Sequence, residues 1–563
     1  MKNKTLPLLA GCFLLASLTA RSQEAMKYYD QIQNTRDKAS DLWGKKNPTP
    51  EEARQSLRML RGAISLLDSV PVAELANGNI YLKARRHDLY MDVASAYAVQ
   101  NKKDSAIYWL YQMFDQGSYS GMVSYLEKDS SFMNLRGDPR FTAFTDLMRR
   151  TGDLYKGAAF KTAYKENLSD AEKTAGLSLL WMQARNNFVY FDHLKDDWNK
   201  TYMDYIPLVL NTKSTAEYYK VLMQFYAQLH DGHTNVYPPK ELQPDFYSRP
   251  PMRTELVEGR VFVSQVFSDS LMKTGIVPGL EVISIDSEPV VSYAEKNVRP
   301  YQSSSTPQDM EIREFTYALL SGPAKRPITF ELKDRSGKTF TKVVSRTGYR
   351  NLKYPNSVVY QTIGDVGYLQ VNDFESRSIN KIIDSLFKNE ISKTKGLVID
   401  IRYNGGGDDG IGFNIIRKLI NKPVKGSLSK VVKHYGRPGD ELNWEENGPW
   451  EIGSDGKTYY DKPVVLLVGP RTFSAAEDFT VVFDYMKRGK ILGMPTGGST
   501  GQPVSFDLPG GGSARVCGKK DTYPDGKEFV GIGSMPDVIV KKTVKDEQDG
   551  VDAAKDKAIA MLK

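Results

Sequence analysis

The chain reads as a multi-domain α/β protein, and three observations predict that class. Beyond residue 357, short apolar runs bounded by turn residues alternate with amphipathic stretches. The runs are Gly367-Tyr-Leu-Gln-Val371, Gly396-Leu-Val-Ile-Asp400 and Val464-Val-Leu-Leu-Val468; the amphipathic stretches cover 379–387, 411–420 and 475–486. Such alternation implies a sheet with parallel pairs covered by helices, with any site at the C-terminal ends of its strands. Before residue 230 the apolar spacing is helical almost throughout. Finally, 563 residues at about 150 per domain suggest roughly three or four domains.

The first element is a targeting segment. Met1-Lys-Asn-Lys4 is basic, 5–19 is mostly apolar, and Ala20-Arg21-Ser22 offers small residues at the two positions a signal peptidase reads. Residues 1–22 are therefore expected to be a signal peptide, cleaved before Gln23. The apolar run is shorter than the ~20 residues a spanning helix needs. The mature chain is expected to be exported, periplasmic or extracellular, without a transmembrane span. A rival reading takes Leu9-Ala-Gly-Cys12 as a lipobox, with Cys12 carrying a lipid anchor. If Cys12 leaves with the signal, Cys517 is the one remaining thiol and no intramolecular disulfide can form.

Composition narrows the function classes. Hydrophobic residues make up 40 % and charged residues 26 %, the balance of an ordinary globular protein. The net charge of +8 is spread over residues of mixed sign, with no basic block dense enough to argue for nucleic acid. No Walker loop, dinucleotide fingerprint or metal-ligand cluster appears in the right context, so no cofactor and no metal are expected.

Residues 23–154 form a helical domain. Its small–large alternation at Ala94, Tyr97, Ala106, Leu110 and Phe114 resembles tetratricopeptide-type helix pairs, a surface suited to a protein partner. An unrelated helical bundle fits the pattern nearly as well. Residues 155–245 are again helical, with Leu177, Leu180, Trp181, Phe188, Tyr190 and Trp198 as expected core. This helical cap ends in Asp231-Gly-His-Thr234 and a short strand to Tyr237. Residues 246–348 change to strands: 261–266, 280–285, and a hairpin of 327–332 with 339–345. Their order resembles a PDZ domain, although Leu280 and Ser287 stand where Asp and Gly are usual. Such a domain would hold a peptide by strand addition, or serve only as a spacer. Residues 349–545 are the α/β core, and 546–563 a C-terminal helix or tail.

Two strand-to-helix turns in the core carry the chemistry. Asp400-Ile-Arg-Tyr-Asn-Gly-Gly-Gly407 places three glycines after a buried strand, where backbone can approach a ligand and aim N–H groups at it. Gly469-Pro-Arg-Thr-Phe-Ser-Ala-Ala-Glu477 places Ser474 at the start of a helix, where partial positive charge favours a developing oxyanion. Taken alone, Ser474 reads as an ordinary helix N-cap.

Together, the two turns, the preceding Asp231-Gly-His-Thr234 and the closing Gly531-Ile-Gly-Ser-Met-Pro-Asp537 resemble the carboxy-terminal processing proteases and the tricorn protease core. The resemblance covers roughly residues 160–545. It implies a ClpP/crotonase-like core in 349–545 and a serine endopeptidase acting on peptides or unfolded polypeptides through an acyl-enzyme. Ser474 would be the nucleophile, and backbone N–H groups of Gly406 and Ala475 the oxyanion hole. A non-catalytic peptide- or ligand-binding protein on the same fold is the alternative.

The resemblance offers two catalytic designs. One pairs Ser with a Lys, but Ser499 of Thr496-Gly-Gly-Ser499 stands at that position, which excludes the dyad. The tricorn design uses Ser, His and Glu, and implies His233 as general base. Its Glu would fall at Val530. Glu528 lies two residues earlier, on the same face if that segment is a strand, and is the expected acid; alternatively, a different acid serves, or Ser474 and His233 work as a dyad. Glu477 is expected to be structural.

Overall fold

The computed structural model describes residues 28–563, except 46–47, 71–79, 116–121, 157–159, 350–351, 353–355, 434–442 and 455–458. The signal segment 1–22 and Cys12 lie outside the described residues. The chain divides into two compact units, Met1–Ala159 and Phe160–Lys563.

The first unit is helical. Helices span 28–43, Pro50–Asp68, Ile80–Val99, Lys103–Phe114 and Val123–Lys128. Thr49 and Glu52 form a capping box that fixes the start of Pro50–Asp68. Helices Ile80–Val99 and Lys103–Phe114 pack as neighbours through Ala94, Tyr97, Ala106 and Leu110. Pro139 opens a further helix, Pro139–Lys156.

The second unit begins with three helices, Asp170–Asn187, Trp198–Leu210 and Thr215–Ala227. Ser169, Asp197 and Ser214 cap them in turn. They bury Leu177, Leu180, Phe188, Tyr190, Trp198 and Phe225 in one core. The strand Asn235–Tyr237 follows and pairs antiparallel with Ser513–Cys517.

A six-stranded antiparallel sheet comes next, in the order Met252–Val257, Arg260–Val266, Glu281–Ile285, Ile328–Lys333 and Thr339–Val344, with Glu288–Pro289 paired to Glu281–Ile285 off this path. Helices Asp269–Lys273 and Val290–Asn297 and a wide-turned segment, Ile312–Ala318, pack with them.

The core sheet runs Val538–Ile539, Lys490–Gly493, Val464–Val468, Gly396–Asp400, Val366–Val371 and Val358–Ile363. Its neighbours are parallel except the last pair, an antiparallel hairpin. Every residue of Gly396–Asp400 and Val464–Val468 is buried, as expected for parallel strands covered on two faces. Ser378–Asn389, Asp409–Leu419 and Ala475–Tyr485 cover one face, and Ala553–Ala560 the other. The two turns that carry the chemistry leave the C-terminal ends of the adjacent strands Gly396–Asp400 and Val464–Val468.

Candidate active site

The turn after Gly396–Asp400 is held by its own side chains. Asp400, fully buried, accepts from Tyr368 Oη at 2.6 Å and from Arg402 at 2.6 Å. Arg402 extends to Asp552 through two bonds of 2.7 Å, clamping the sheet to the C-terminal segment. Asn404 donates to Val371 O and accepts from Gly406 N at 2.9 Å. This corrects the expectation for Gly406. Its N–H is engaged by the Asn404 side chain two residues back, an Asx turn, and does not stand ready for an oxyanion. Gly406 is needed for a different reason. Its φ is +96°, and a Cβ there would lie 2.7 Å from Ser474 Cβ.

The second turn is bonded to the first. Phe473 N donates to Asn404 O at 3.0 Å, and Thr472 Oγ1 to Ile401 O at 2.9 Å. Ser474 then adopts φ 56° and ψ −129°, left-handed backbone that a non-glycine residue rarely takes. Its side chain makes no capping bond to helix Ala475–Tyr485. The hydroxyl instead lies 3.0 Å from His233 Nε2. Ala475 N–H, the first of that helix, meets no acceptor among the described residues.

His233 is 4 % exposed and fixed from several sides. Its backbone N–H donates to Asp231 Oδ1 at 2.9 Å, and its ring stacks on Phe473 at 4.8 Å and 14°. Arg313 covers the Phe473 ring at 5.4 Å and donates to Gly232 O at 3.1 Å. A Cβ on Gly232 would lie 2.8 Å from Phe473 and 2.9 Å from Ser499 Oγ, so only glycine lets the loop come this close. Burial, reinforced by Arg515, Arg313 and Lys519, holds the imidazole well below its ordinary pKa of 6.5. The ring is therefore neutral at neutral pH.

The partner of His233 Nδ1 is Ser499 Oγ, at 2.9 Å. Behind Ser499 stands Glu477, fully buried. It accepts from Ser499 N at 2.7 Å, Gly498 N at 2.8 Å and Thr496 Oγ1 at 2.6 Å. Burial pushes its carboxyl up to about 8, against the three donors that favour the charged form. The loop carrying Ser499 is thus tied to the first turn of the helix that Ser474 begins.

Glu528 is not part of this arrangement. Its carboxylate is half exposed, 2.9 Å from Lys520 Nζ and 3.8 Å from His193. Lys520 also bonds Asp192 at 2.8 Å, forming a surface ion cluster. The same-face argument fails because 528 is an isolated bridge residue and 530 lies in a turn, not on one continuous strand. Val530 itself is buried in the apolar core with Phe529. Lys519 pairs with Asp521 at 3.1 Å. Cys517 is fully buried, its thiol pushed well up by desolvation, which suits an inert core residue.

The structure brings together Ser474 and His233, both expected from the sequence, and adds Ser499, expected only as the residue standing where a Lys would be. Its hydroxyl was the available signal.

Residues 365–540 match the model of peptidase family S41. The chain is similar to that family over this segment. Among curated relatives, the carboxy-terminal-processing protease of Bartonella bacilliformis is 25 % identical over 238 residues, 41 % of this chain and 51 % of that protein. A probable CtpA-like serine protease of Staphylococcus epidermidis is 22 % identical, over 50 % of this chain and 57 % of that protein. The chain thus spans about half the length of these relatives. The crystal structure of mature CPAF aligns with a TM-score of 0.55 at 15 % identity, over 70 % of this chain and 97 % of that one, and shows a shared fold.

Proposed function

We propose that this S41 chain is an exported serine endopeptidase acting on peptides or unfolded polypeptides, with Ser474 as nucleophile and His233 as general base. The observation that carries the reading is the 3.0 Å contact between Ser474 Oγ and His233 Nε2, made by a serine whose backbone is held away from the conformation of an ordinary cap.

With the imidazole neutral, Nδ1–H donates to Ser499 Oγ and Nε2 is left to accept the Ser474 proton. The hydroxyl oxygen attacks the scissile carbonyl. Negative charge develops near Ala475 N–H at the N-terminal end of helix Ala475–Tyr485, where the helix dipole also favours it. The imidazolium returns its proton to the leaving amine, giving an acyl-enzyme on Ser474, and a water activated by the same ring releases the acid. A hydroxyl, not a carboxylate, orients the imidazole in this scheme. Glu477 is a positioning residue, since it holds the Ser499 backbone and not the ring.

Two further roles complete the proposal. The antiparallel domain in 246–348 holds peptide in the manner of a PDZ domain, and the helices of 23–154 engage a protein partner. Export rests on the Met1–Ser22 pattern. No helix among the described residues is long and apolar enough to cross a membrane.

Labelling with a fluorophosphonate probe and hydrolysis of denatured casein test the chemistry. Wild-type protein should label and hydrolyse, and Ser474→Ala should do neither. His233→Ala should lose about 10²- to 10⁴-fold in rate. Equal labelling of wild type and Ser474→Ala would exclude Ser474 as nucleophile. Failure of the wild type to label or hydrolyse would favour a binding protein on this fold.

A further inference from the structure

We infer that Asp192, His193 and Glu528 form a surface site for a divalent cation of the zinc class, outside the Ser474–His233 pair. The three residues offer one imidazole nitrogen and two carboxylate oxygens, all within 4.8 Å of one another. His193 Nε2 and Glu528 Oε2 stand 3.8 Å apart. That is too long for a hydrogen bond, but close to the roughly 3.3–3.6 Å that separates two ligands of a tetrahedral zinc ion. All three residues are exposed, so small side-chain rotations close the difference and water can complete the coordination.

The surroundings orient the imidazole for this role. The His193 ring packs on Tyr190, with centroids 5.2 Å apart. Its Cε1 and Nδ1 edge lies beside Gly531, where a Cβ would come within 3.6 Å. Nε2 is left facing Glu528. The two carboxylates already hold a cation: Lys520 Nζ lies 2.8 Å from Asp192 Oδ2 and 2.9 Å from Glu528 Oε1. Partial burial raises the Asp192 pKa, but the bond and charge of Lys520 outweigh it and leave the carboxyl lowered, hence ionised at neutral pH. A divalent ion between the same oxygens carries twice the charge of the ammonium and also takes the imidazole nitrogen as a ligand. The displaced ammonium has a second seat, since Lys520 Nζ already lies 5.5 Å from the centroid of the Tyr190 ring. One nitrogen with two carboxylate oxygens suits zinc, whereas calcium and magnesium prefer oxygen alone.

The ligands come from two parts of the second unit. Asp192 and His193 belong to the turn Phe191–His193 of the helical cap, and Glu528 precedes the turn 530–532 of the core. That core turn reaches the loop behind His233. Gly531 N donates to Gly498 O at 2.8 Å, and Ser534 N to Thr496 Oγ1 at 2.6 Å. Ser499, on the same loop, meets His233 Nδ1. A metal at this site acts as a staple: it pins the core turn to the cap and so restrains the loop that carries Ser499.

The test is zinc binding to the full-length protein, stripped beforehand with a chelator and followed by competition with a chromophoric zinc indicator. Wild-type protein should bind one zinc ion with Kd below about 0.1 mM. Even a hydrogen-bond partner of a metal ligand is typically worth about 10- to 100-fold in affinity, so His193→Ala should weaken binding at least about tenfold, and Glu528→Gln should weaken it too. Lys520→Met should strengthen it by roughly three- to tenfold, because no ammonium has to move. Zinc should raise the melting temperature of the wild type and not of His193→Ala, and should slow hydrogen exchange in 191–193 and 528–534. Equal zinc affinity in wild type and His193→Ala would overturn the inference. So would absence of binding by both wild type and Lys520→Met, or protection by zinc confined to other segments. None of these readouts depends on hydrolysis, so the outcome is independent of the peptidase reading.

Discussion

The two strand-to-helix turns at the centre of the core leave neighbouring parallel strands and contact each other, yet they use polar residues in opposite ways. In 400–407 three polar side chains find partners in the scaffold: Asp400 binds Tyr368, Arg402 binds Asp552, and Asn404 binds Val371 and Gly406. In 469–477 the serine forgoes the local bond a helix N-terminus offers and reaches His233, 241 positions away in sequence. The density of polar residues in a motif therefore says little about which one reacts. The distinguishing mark is a polar group that its own element leaves unpartnered and whose backbone is strained to keep it so.

If this contrast holds, the first turn should fail in stability and the second in rate. Arg402→Met leaves Asp400 buried beside Met without its cation, and should cost about 3–5 kcal/mol of unfolding free energy. The activity of the fraction still folded should change little. Denaturant titration with activity normalised to folded protein checks this. A large loss of kcat in fully folded Arg402→Met would erase the distinction.

Ser499→Ala removes the hydroxyl from His233 Nδ1 and should lower kcat by about tenfold with KM nearly constant, the worth of one orienting hydrogen bond. No change in kcat would show that the ring is oriented by Phe473 and the backbone alone.

Ser474→Gly should abolish labelling and raise stability by about 0.5–1 kcal/mol, because glycine accepts φ 56° without strain. A melting temperature unchanged or lowered would count against strain at the nucleophile.

The last prediction concerns pH. His233 has its folded pKa depressed below 6.5, so the unfolded chain binds the extra proton first as pH falls. Its contribution to stability is therefore complete above about 6.5 and is lost progressively below that value. The same depression keeps the base neutral, so the acid limb of kcat/KM should lie below pH 6.5. A limb at or above 6.5 would mean that the imidazole is better solvated than its burial implies.

The strands Gly396–Asp400 and Val464–Val468 were legible because a strand buried on both faces must be apolar at every position. Ser474 and His233 were legible as members of ordered motifs. The partner of His233 Nδ1 was not, and the reason is geometric. Face alternation needs a continuous strand, whereas 528–533 is a bridge residue followed by a turn, so Glu528 faces Lys520 at the surface. Gly406 was misread for a similar reason. A glycine run advertises free N–H groups, but an Asn two residues earlier can take one of them, and Asn404 does. Nor could spacing foretell that Glu477 would accept from the loop carrying Ser499, since that contact exists only once the helix and loop are packed.

The clamp between Arg402 and Asp552 joins groups 150 positions apart in the chain. During synthesis, Arg402 and its neighbour Asp400 emerge long before Asp552, the second carboxylate that Arg402 binds. The turn that supports Ser474 therefore lacks one of its anchors until Asp552 has been made. A nascent chain stopped short of that residue has Ser474 but an incomplete scaffold to hold it, which delays full assembly of the turn until translation has passed that point.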